Sequence, residues 1–216
     1  MDNLVRSLPV STFAKKAMKR VDRRHYVTQK ADAYRDRPSP LLQGQTISAP
    51  HMHGQALDAL KPVLIQGNHI LDIGSGSGYL TACFGYLVNV SSDDKKKRGK
   101  VVGIDIVPEL VAYSRDVIRT HDPVLLKYGR SFRILSKDGK KGHPSNKNQE
   151  LYDGIHVGAA CKTIPHTLLQ QLGSGGIMVI PLELSPNNLQ LCVVTKESNG
   201  DTKINVGSPV RYVPLV

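Results

Sequence analysis

The sequence predicts an α/β fold: a doubly wound, mostly parallel sheet with an antiparallel C-terminal edge and helices on its N-terminal side. Three observations predict it. From about residue 69 onward, short apolar runs bounded by Gly, Asp or Pro recur, as strands buried on both faces of a parallel sheet do. Segments of helical apolar spacing alternate with them, and that repetition builds a doubly wound sheet. The rhythm then breaks into two strand-like runs around Asn199-Gly200, a hairpin signal that implies an antiparallel edge.

The elements follow in order. An amphipathic helix is expected near Ser11 to Val21, then a Pro-rich irregular segment, YRDRPSPLLQGQ, then a helix from about His51 to Leu64. Ala56, Leu57, Leu60 and Leu64 sit at helical spacing on that last helix and should face the core. Strands are expected at HILDIG (69–74), KVVGID (100–105), FRIL (132–135), YDGIHVG (152–158) and GIMVIPL (176–182). Helices are expected at Gly78 to Val88, Pro108 to His121 and Pro165 to Leu172, with Pro108 and Pro165 in first turns and Gly173 as a helix stop. The closing runs NLQLCVVTKES and TKINVGSPVRYVPLV are read as the two hairpin strands.

At 216 residues one domain, 1–216, is expected, with residues 1–68 supplying helices and a loop and residues 69–216 the α/β core. No run is long and apolar enough for a bilayer, and MDNLVRSLPV lacks the apolar stretch of a secretory signal, so a cytoplasmic monomer is expected. Cys83, Cys161 and Cys192 are widely spaced, which supports neither a disulfide framework nor a zinc site; they read as small buried apolar residues. The net charge of +11 invites a nucleic-acid partner, but it sits in short runs such as KKAMKRVDRR, DKKKRGK and SKDGKKGH that read as solvated loops and a helix face.

Two stretches carry chemistry. LDIGSGSGYLTACF, Leu71 to Phe84, runs from a strand through glycines at 74, 76 and 78 into a helix, so Gly74, Ser75, Gly76, Ser77 and Gly78 form a tight turn that lets a ligand approach the backbone. The spacing is neither G-x-G-x-x-G nor a Walker loop. Asp72 precedes the glycines, Asp105 ends the next strand, and Asp138-Gly139 follows the third; an acid at a strand tip can accept hydrogen bonds from both hydroxyls of a ribose. The alternative is that Asp72 and Asp105 cap turns. SSDDKKKRG, Ser91 to Gly99, reads as a charged loop that lengthens the interval between Gly74 and Asp105.

The second stretch, QTISAPHMHG from Gln45 to Gly54, places hydroxyls, a proline and two histidines just before a helix. Ser48 there is good helix-entry chemistry, which is the plain alternative to a catalytic role. For His51 and His53 no third ligand of suitable spacing is visible, so no metal is expected.

From about Arg20 to Leu215 the chain resembles the protein-L-isoaspartate (D-aspartate) O-methyltransferase family, on DRRHYV, QTISAPHMH, LDIGSGSGYLTACF, VVGID, YDGIHVGAA, LGSGGIMVIP and YVPL in that order. TISAPHMH is far more specific to the family than the glycine loop. The resemblance implies a Rossmann-like methyltransferase fold and methyl transfer from S-adenosyl-L-methionine, leaving S-adenosyl-L-homocysteine. The implied acceptor is the free α-carboxylate of L-isoaspartyl, and D-aspartyl, residues in damaged proteins and peptides.

By the same resemblance Ser48 is catalytic and also touches substrate. Gln45, Thr46, Ile47, His53, Asp72, Gly74 to Gly78, Asp105, Asp138 and Gly139 hold the cofactor, and His53, His156, Val157, Tyr212 and Val213 face the substrate. There are departures: Lys137 stands where the family usually has a small residue, relatives commonly continue past the position of Leu215, and the N-terminal helix is expected to be clipped. Two other functions compete. An RNA methyltransferase would carry Asn/Asp-Pro-Pro-Tyr where HVGAA stands and more aromatics for stacking. A non-catalytic binding module would keep fold and cofactor without turnover.

Overall fold

The computed structural model of the chain describes residues 1–143 and 151–215. The chain opens with α1 (Asp2–Ser7) and α2 (Thr12–Arg20). Ser11 caps α2 by accepting from the Ala14 N–H at 3.3 Å, while its own N–H donates to Asp58 at 2.8 Å and so ties α2 to the next helix. That helix, α3 (Pro50–Leu60), stops short of the expected Leu64. Pro62 has no N–H to continue the ladder, and a 3₁₀ turn at Lys61–Val63 takes over. Ala56, Leu57, Leu60 and Leu64 are all buried, as their spacing requires.

The Pro-rich segment is more ordered than its composition suggests. Its residues β1 (Ser39–Pro40) and β2 (Thr46–Ile47) pair antiparallel, and the connecting turn places Gln43 at φ 54° and Gly44 at φ 68°. Two consecutive positive φ values mark a primed hairpin turn, which only a glycine tolerates freely.

The main sheet uses β3 (His69–Ile73), β4 (Lys100–Asp105), β5 (Phe132–Ser136), β6 (Tyr152–Val157), β7 (Leu172–Ser185), β8 (Asn188–Lys196) and β9 (Thr202–Pro209). Their order is β5-β4-β3-β6-β7-β8-β9, parallel as far as β7 and antiparallel beyond. Between them lie α4 (Tyr79–Leu87), α5 (Pro108–His121) and α6 (His166–Gln171). The chain leaves β3 toward β4 and β5, then returns to the other side of β3 as β6. That reversal opens a crevice at the carboxyl ends of β3 and β6, where ligands sit in open α/β sheets.

Two expectations shift. β7 begins at Leu172, four residues before GIMVIPL, so Gly173 does not stop a helix but lies in the strand; the register slips between Tyr152 and Gly154 to absorb it. The last run is not one strand. β9 ends at Pro209, and residues 210–215 cross to the end of β6, where Ala160 donates to the Val213 carbonyl and Leu215 to the Ala160 carbonyl, both at 2.8 Å.

Alternate strand residues feed two apolar clusters. Ile70, Val101, Ile134 and Val179 pack with side chains of α1 to α5, and Leu71, Ile104, Ile155 and Met178 pack with Leu168 of α6. A polar pin fastens the N-terminal part: Asp122 is buried and accepts from Tyr26 at 2.5 Å and Tyr86 at 2.7 Å. Tyr26→Phe removes one of these bonds and should cost about 1–3 kcal/mol in urea unfolding, since the carboxylate stays buried with one donor fewer. No loss of stability would show the pin to be inert.

Candidate active site at the switch point

The crevice is built from the glycine loop upward. Gly74, Gly76 and Gly78 have φ of 69°, 54° and 83°, the left-handed region, which lets the chain turn within five residues from β3 into α4. Beneath the loop, Asp72 is 1 % exposed; it accepts from Thr81 of α4 at 2.5 Å and pairs with His156 Nδ1 of β6 at 2.8 Å. Asp105 lies at the tip of β4 and accepts the N–H groups of Gly76 at 2.9 Å and Val107 at 3.0 Å, one on each oxygen. Burial raises its pKa, and those backbone donors pull the other way.

A cavity of about 340 Å³ opens above the loop. Of the residues assigned by sequence, Gln45, Thr46, Gly74, Gly76, Asp105, Gly139 and Val213 line it. Lys137, Gly158 and Ala159 of HVGAA, and Pro214 and Leu215 of the closing YVPL line it too, together with Ile106, Val107 and Leu110, which were not assigned. Ile106 and Leu110 give it an apolar wall, and an apolar residue directly after the strand-tip acid was the available signal. Gly139 and Gly158 leave room that side chains would fill: a Cβ at Gly139 would lie 2.6 Å from Ile73, and one at Gly158 2.9 Å from the Gly74 carbonyl.

The remaining assigned residues lie around this cavity or beneath it. Ser75 and Ser77 are buried within the loop, and Asp72, His156 and Val157 are buried beneath it, the last two inside β6. Gly78 starts α4, Ile47 is buried behind the hairpin, and Asp138 caps the turn at Gly139–Lys141 through the Lys140 N–H.

A second cleft, of about 510 Å³, is lined by Ala49, His51, Met52, Asn187, Gln190, Pro209, Val210 and Arg211 among others. Along the chain, Ser48 and Tyr212 each fall between residues that line one cavity and residues that line the other. Chain neighbours on one side of each, Gln45 and Thr46, Val213 to Leu215, line the first cavity; those on the other, Ala49 and His51, Val210 and Arg211, line the second. The Ser48 side chain lies close enough to Tyr212 to act on its phenol, which burial pushes up to about 12.

Behind Ser48 lies Arg23, which the sequence reading passed over although DRRHYV contains it. It is fully buried, donating to the Ser48 carbonyl at 2.8 Å and to His53 Nδ1 at 3.2 Å. Burial above all, then the Arg23 charge, holds the His53 pKa well below 6.5, so this imidazole is neutral. His51 instead turns to Asp36, whose Oδ1 accepts both its N–H at 3.0 Å and its Nδ1–H at 2.9 Å. Among the described residues no cluster of His, Cys, Asp or Glu is suited to a metal.

Residues 4–216 match the family described as protein-L-isoaspartate(D-aspartate) O-methyltransferase. A protein-L-isoaspartate O-methyltransferase of Triticum aestivum is 44% identical over 200 residues, covering 92% of this chain and 81% of the relative. One of Caenorhabditis elegans is 40% identical over 199 residues, covering 92% and 82%. A crystal structure of a Plasmodium falciparum protein-L-isoaspartate O-methyltransferase in complex with S-adenosyl-L-homocysteine superposes with a TM-score of 0.88 at 33% identity, covering 99% of this chain and 97% of that one.

The buried imidazole fixes a pH response. His53 has a folded-state pKa below its ordinary 6.5, so below pH 6.5 the unfolded chain binds the extra proton first and stability falls as pH falls, by up to about 1.4 kcal/mol per pH unit. His143, lowered to about 4 chiefly by burial, adds to the same trend. Urea unfolding at pH 7, 6 and 5 should show a shallower decline in His53→Gln than in the parent; equal slopes would mean that His53 takes up its proton as readily in the native state as in the unfolded chain.

Proposed function

The chain belongs to the protein-L-isoaspartate(D-aspartate) O-methyltransferase family, and from that premise we propose how its residues divide the work. The protein is an S-adenosylmethionine-dependent methyltransferase that esterifies the free α-carboxylate of L-isoaspartyl residues in damaged proteins and peptides. The lining residues fit the cofactor. Each Asp105 oxygen accepts one backbone N–H and keeps lone-pair capacity for a ribose hydroxyl, Ile106 and Leu110 offer an apolar wall to a base, and the glycines admit close approach. When bound, the cofactor supplies an electrophilic methyl group on a sulfonium.

The observation that carries the division of labour is the Ser48–Tyr212 pair, each member falling along the chain between the linings of two cavities. In this reading the first cavity holds the nucleoside and the second receives the peptide. The acceptor carboxylate, with a reference pKa near ~3.5 to 4, is already ionised at neutral pH, so Ser48 need not act as a base. Its task is to donate to one carboxylate oxygen and hold the other in line for transfer while the surrounding walls exclude water.

His53 supports the loop from behind, Gln45 and Thr46 wall the cofactor, and Val213 faces it from the C-terminal side. Asp72 and His156 act beneath the loop as its foundation. We read residues 1–216 as one catalytic unit working as a cytoplasmic monomer on proteins rather than nucleic acid. Supporting this are an apolar cluster continuous from Leu4 to Leu191, three buried free cysteines, and the absence among the described residues of any helix long and apolar enough to cross a membrane.

The first test is transfer of labelled methyl from S-adenosylmethionine to a short L-isoaspartyl peptide beside the identical aspartyl peptide, scored as base-labile methanol. Label on the isoaspartyl peptide alone is expected. Cofactor binding without label on either would favour a binding module or an RNA acceptor. In the same assay Ser48→Ala should lower kcat by roughly 10- to 100-fold with the fold intact, and unchanged turnover would remove Ser48 from the chemistry. Asp105→Ala should weaken S-adenosyl-L-homocysteine binding by roughly 10- to 100-fold in calorimetry, the worth of losing hydrogen bonds to a charged group.

A further inference from the structure

The motif DRRHYV holds the most unusual side chain of the site. Arg23 is 0 % exposed, at the start of a 3₁₀ turn, Arg23–Tyr26, that Asp22 caps. Among the described residues no carboxylate lies within ion-pair distance of it, and its Nε has no hydrogen-bond partner. A buried cation that feels the Asp36 carboxylate only from beyond ion-pair distance is costly, and a simple brace between segments does not require a charge. What this guanidinium does touch is specific. Nη2 donates to the Ser48 carbonyl at 2.8 Å, Nη1 reaches His53 Nδ1 at 3.2 Å, and its Cζ lies 5.6 Å from the centre of the Tyr79 ring.

We propose that Arg23 is the positioning residue of this site: one planar fork holds the backbone of Ser48 and locks His53 in the neutral form that carries its proton on Nε2. The chemistry forces the tautomer. Guanidinium has five donors and no acceptor, so His53 Nδ1 must accept, and a neutral imidazole that accepts at Nδ1 donates at Nε2. Arg23, Tyr79, His156 and His51 surround His53, and the neighbouring cation opposes a second proton on the ring. His53 is therefore a fixed neutral donor, and the Ser48 loop is anchored from its carbonyl rather than from its hydroxyl, which stays free for Tyr212 and the acceptor. Lysine does not substitute for this geometry, because a compact ammonium cannot lie along two separate acceptors in one plane.

The role rests on Ser48 acting in the transfer, but its direct test does not need turnover. In protein with ¹⁵N-labelled imidazoles, two-bond ¹H–¹⁵N correlation at pH 7 should show His53 with a bare Nδ1 and a protonated Nε2; a protonated Nδ1 would overturn the proposal whatever the substrate proves to be. Arg23→Met should shift that signature toward the other tautomer and lower kcat per folded molecule by roughly 10- to 100-fold, as a small misplacement of a reacting group does. Arg23→Lys should restore folding better than kcat. A brace alone would lower the folded fraction while leaving tautomer and kcat per folded molecule unchanged, and that result, in either variant that folds, would also overturn the proposal.

Discussion

The carboxylate of Asp72 is the interaction on which the rest of the crevice depends. It sits in the central strand at 1 % exposure, where an unsatisfied charge would cost several kcal/mol. Its partners come from two other elements, Thr81 of α4 and His156 of β6, so satisfying it fixes the spacing of β3, β6 and α4 at once. The glycine loop is strung across those three fixed points. Its left-handed residues then aim the Gly76 N–H at Asp105, which ties β4 to the same frame. Asp72 thus holds the frame of the loop from one layer below the cavity.

In the proposed reading, electrostatics explains why neutral hydroxyls, rather than the cations Lys137 and Arg211 that line the two cavities, would hold the acceptor. Transfer from a sulfonium to a carboxylate joins opposite charges into two neutral products. A cation in direct contact with the acceptor would stabilise the starting carboxylate more than the transition state, in which that charge is vanishing, and would slow the step. Hydroxyls such as those of Ser48 and Tyr212 orient without that penalty. Arg23 directs its charge at the Ser48 backbone carbonyl, and exposed loops such as Lys95 to Lys97 carry part of the protein's positive excess, where it is screened by salt.

The strands and helices of the core were readable because period and punctuation agree. HILDI and KVVGID alternate between two apolar clusters, and Pro108 opens a helix as its fixed φ allows. Legibility failed where a tertiary contact overrides a local signal. Gly173 looks like a helix stop until its strand pairs with Tyr152, and RYVPL looks like a strand until Ala160 captures it. The nucleoside wall was half visible: the acid at Asp105 and the glycines stand out by type, whereas Ile106, Leu110 and Leu215 are ordinary apolar residues whose place only the topology reveals. Arg23 was quoted within a motif and still missed, because nothing in a run of basic residues distinguishes a buried one from a solvated one.

The sheet is open, so it has two free edges, and each is disarmed differently. At β5, Arg115 wraps over the outer side and donates Nε and Nη2 to the Ile134 carbonyl at 2.8 and 2.5 Å, occupying an acceptor that a foreign strand would need. At β9 every residue is exposed, Ile204 and Val206 included, but Lys203 adds charge, the register slips opposite Gln190 to Cys192, and Pro209 withholds a donor. These devices break the flat, continuous template that amyloid-like stacking requires. A foreign strand that meets either edge therefore finds an acceptor already filled or a donor withheld.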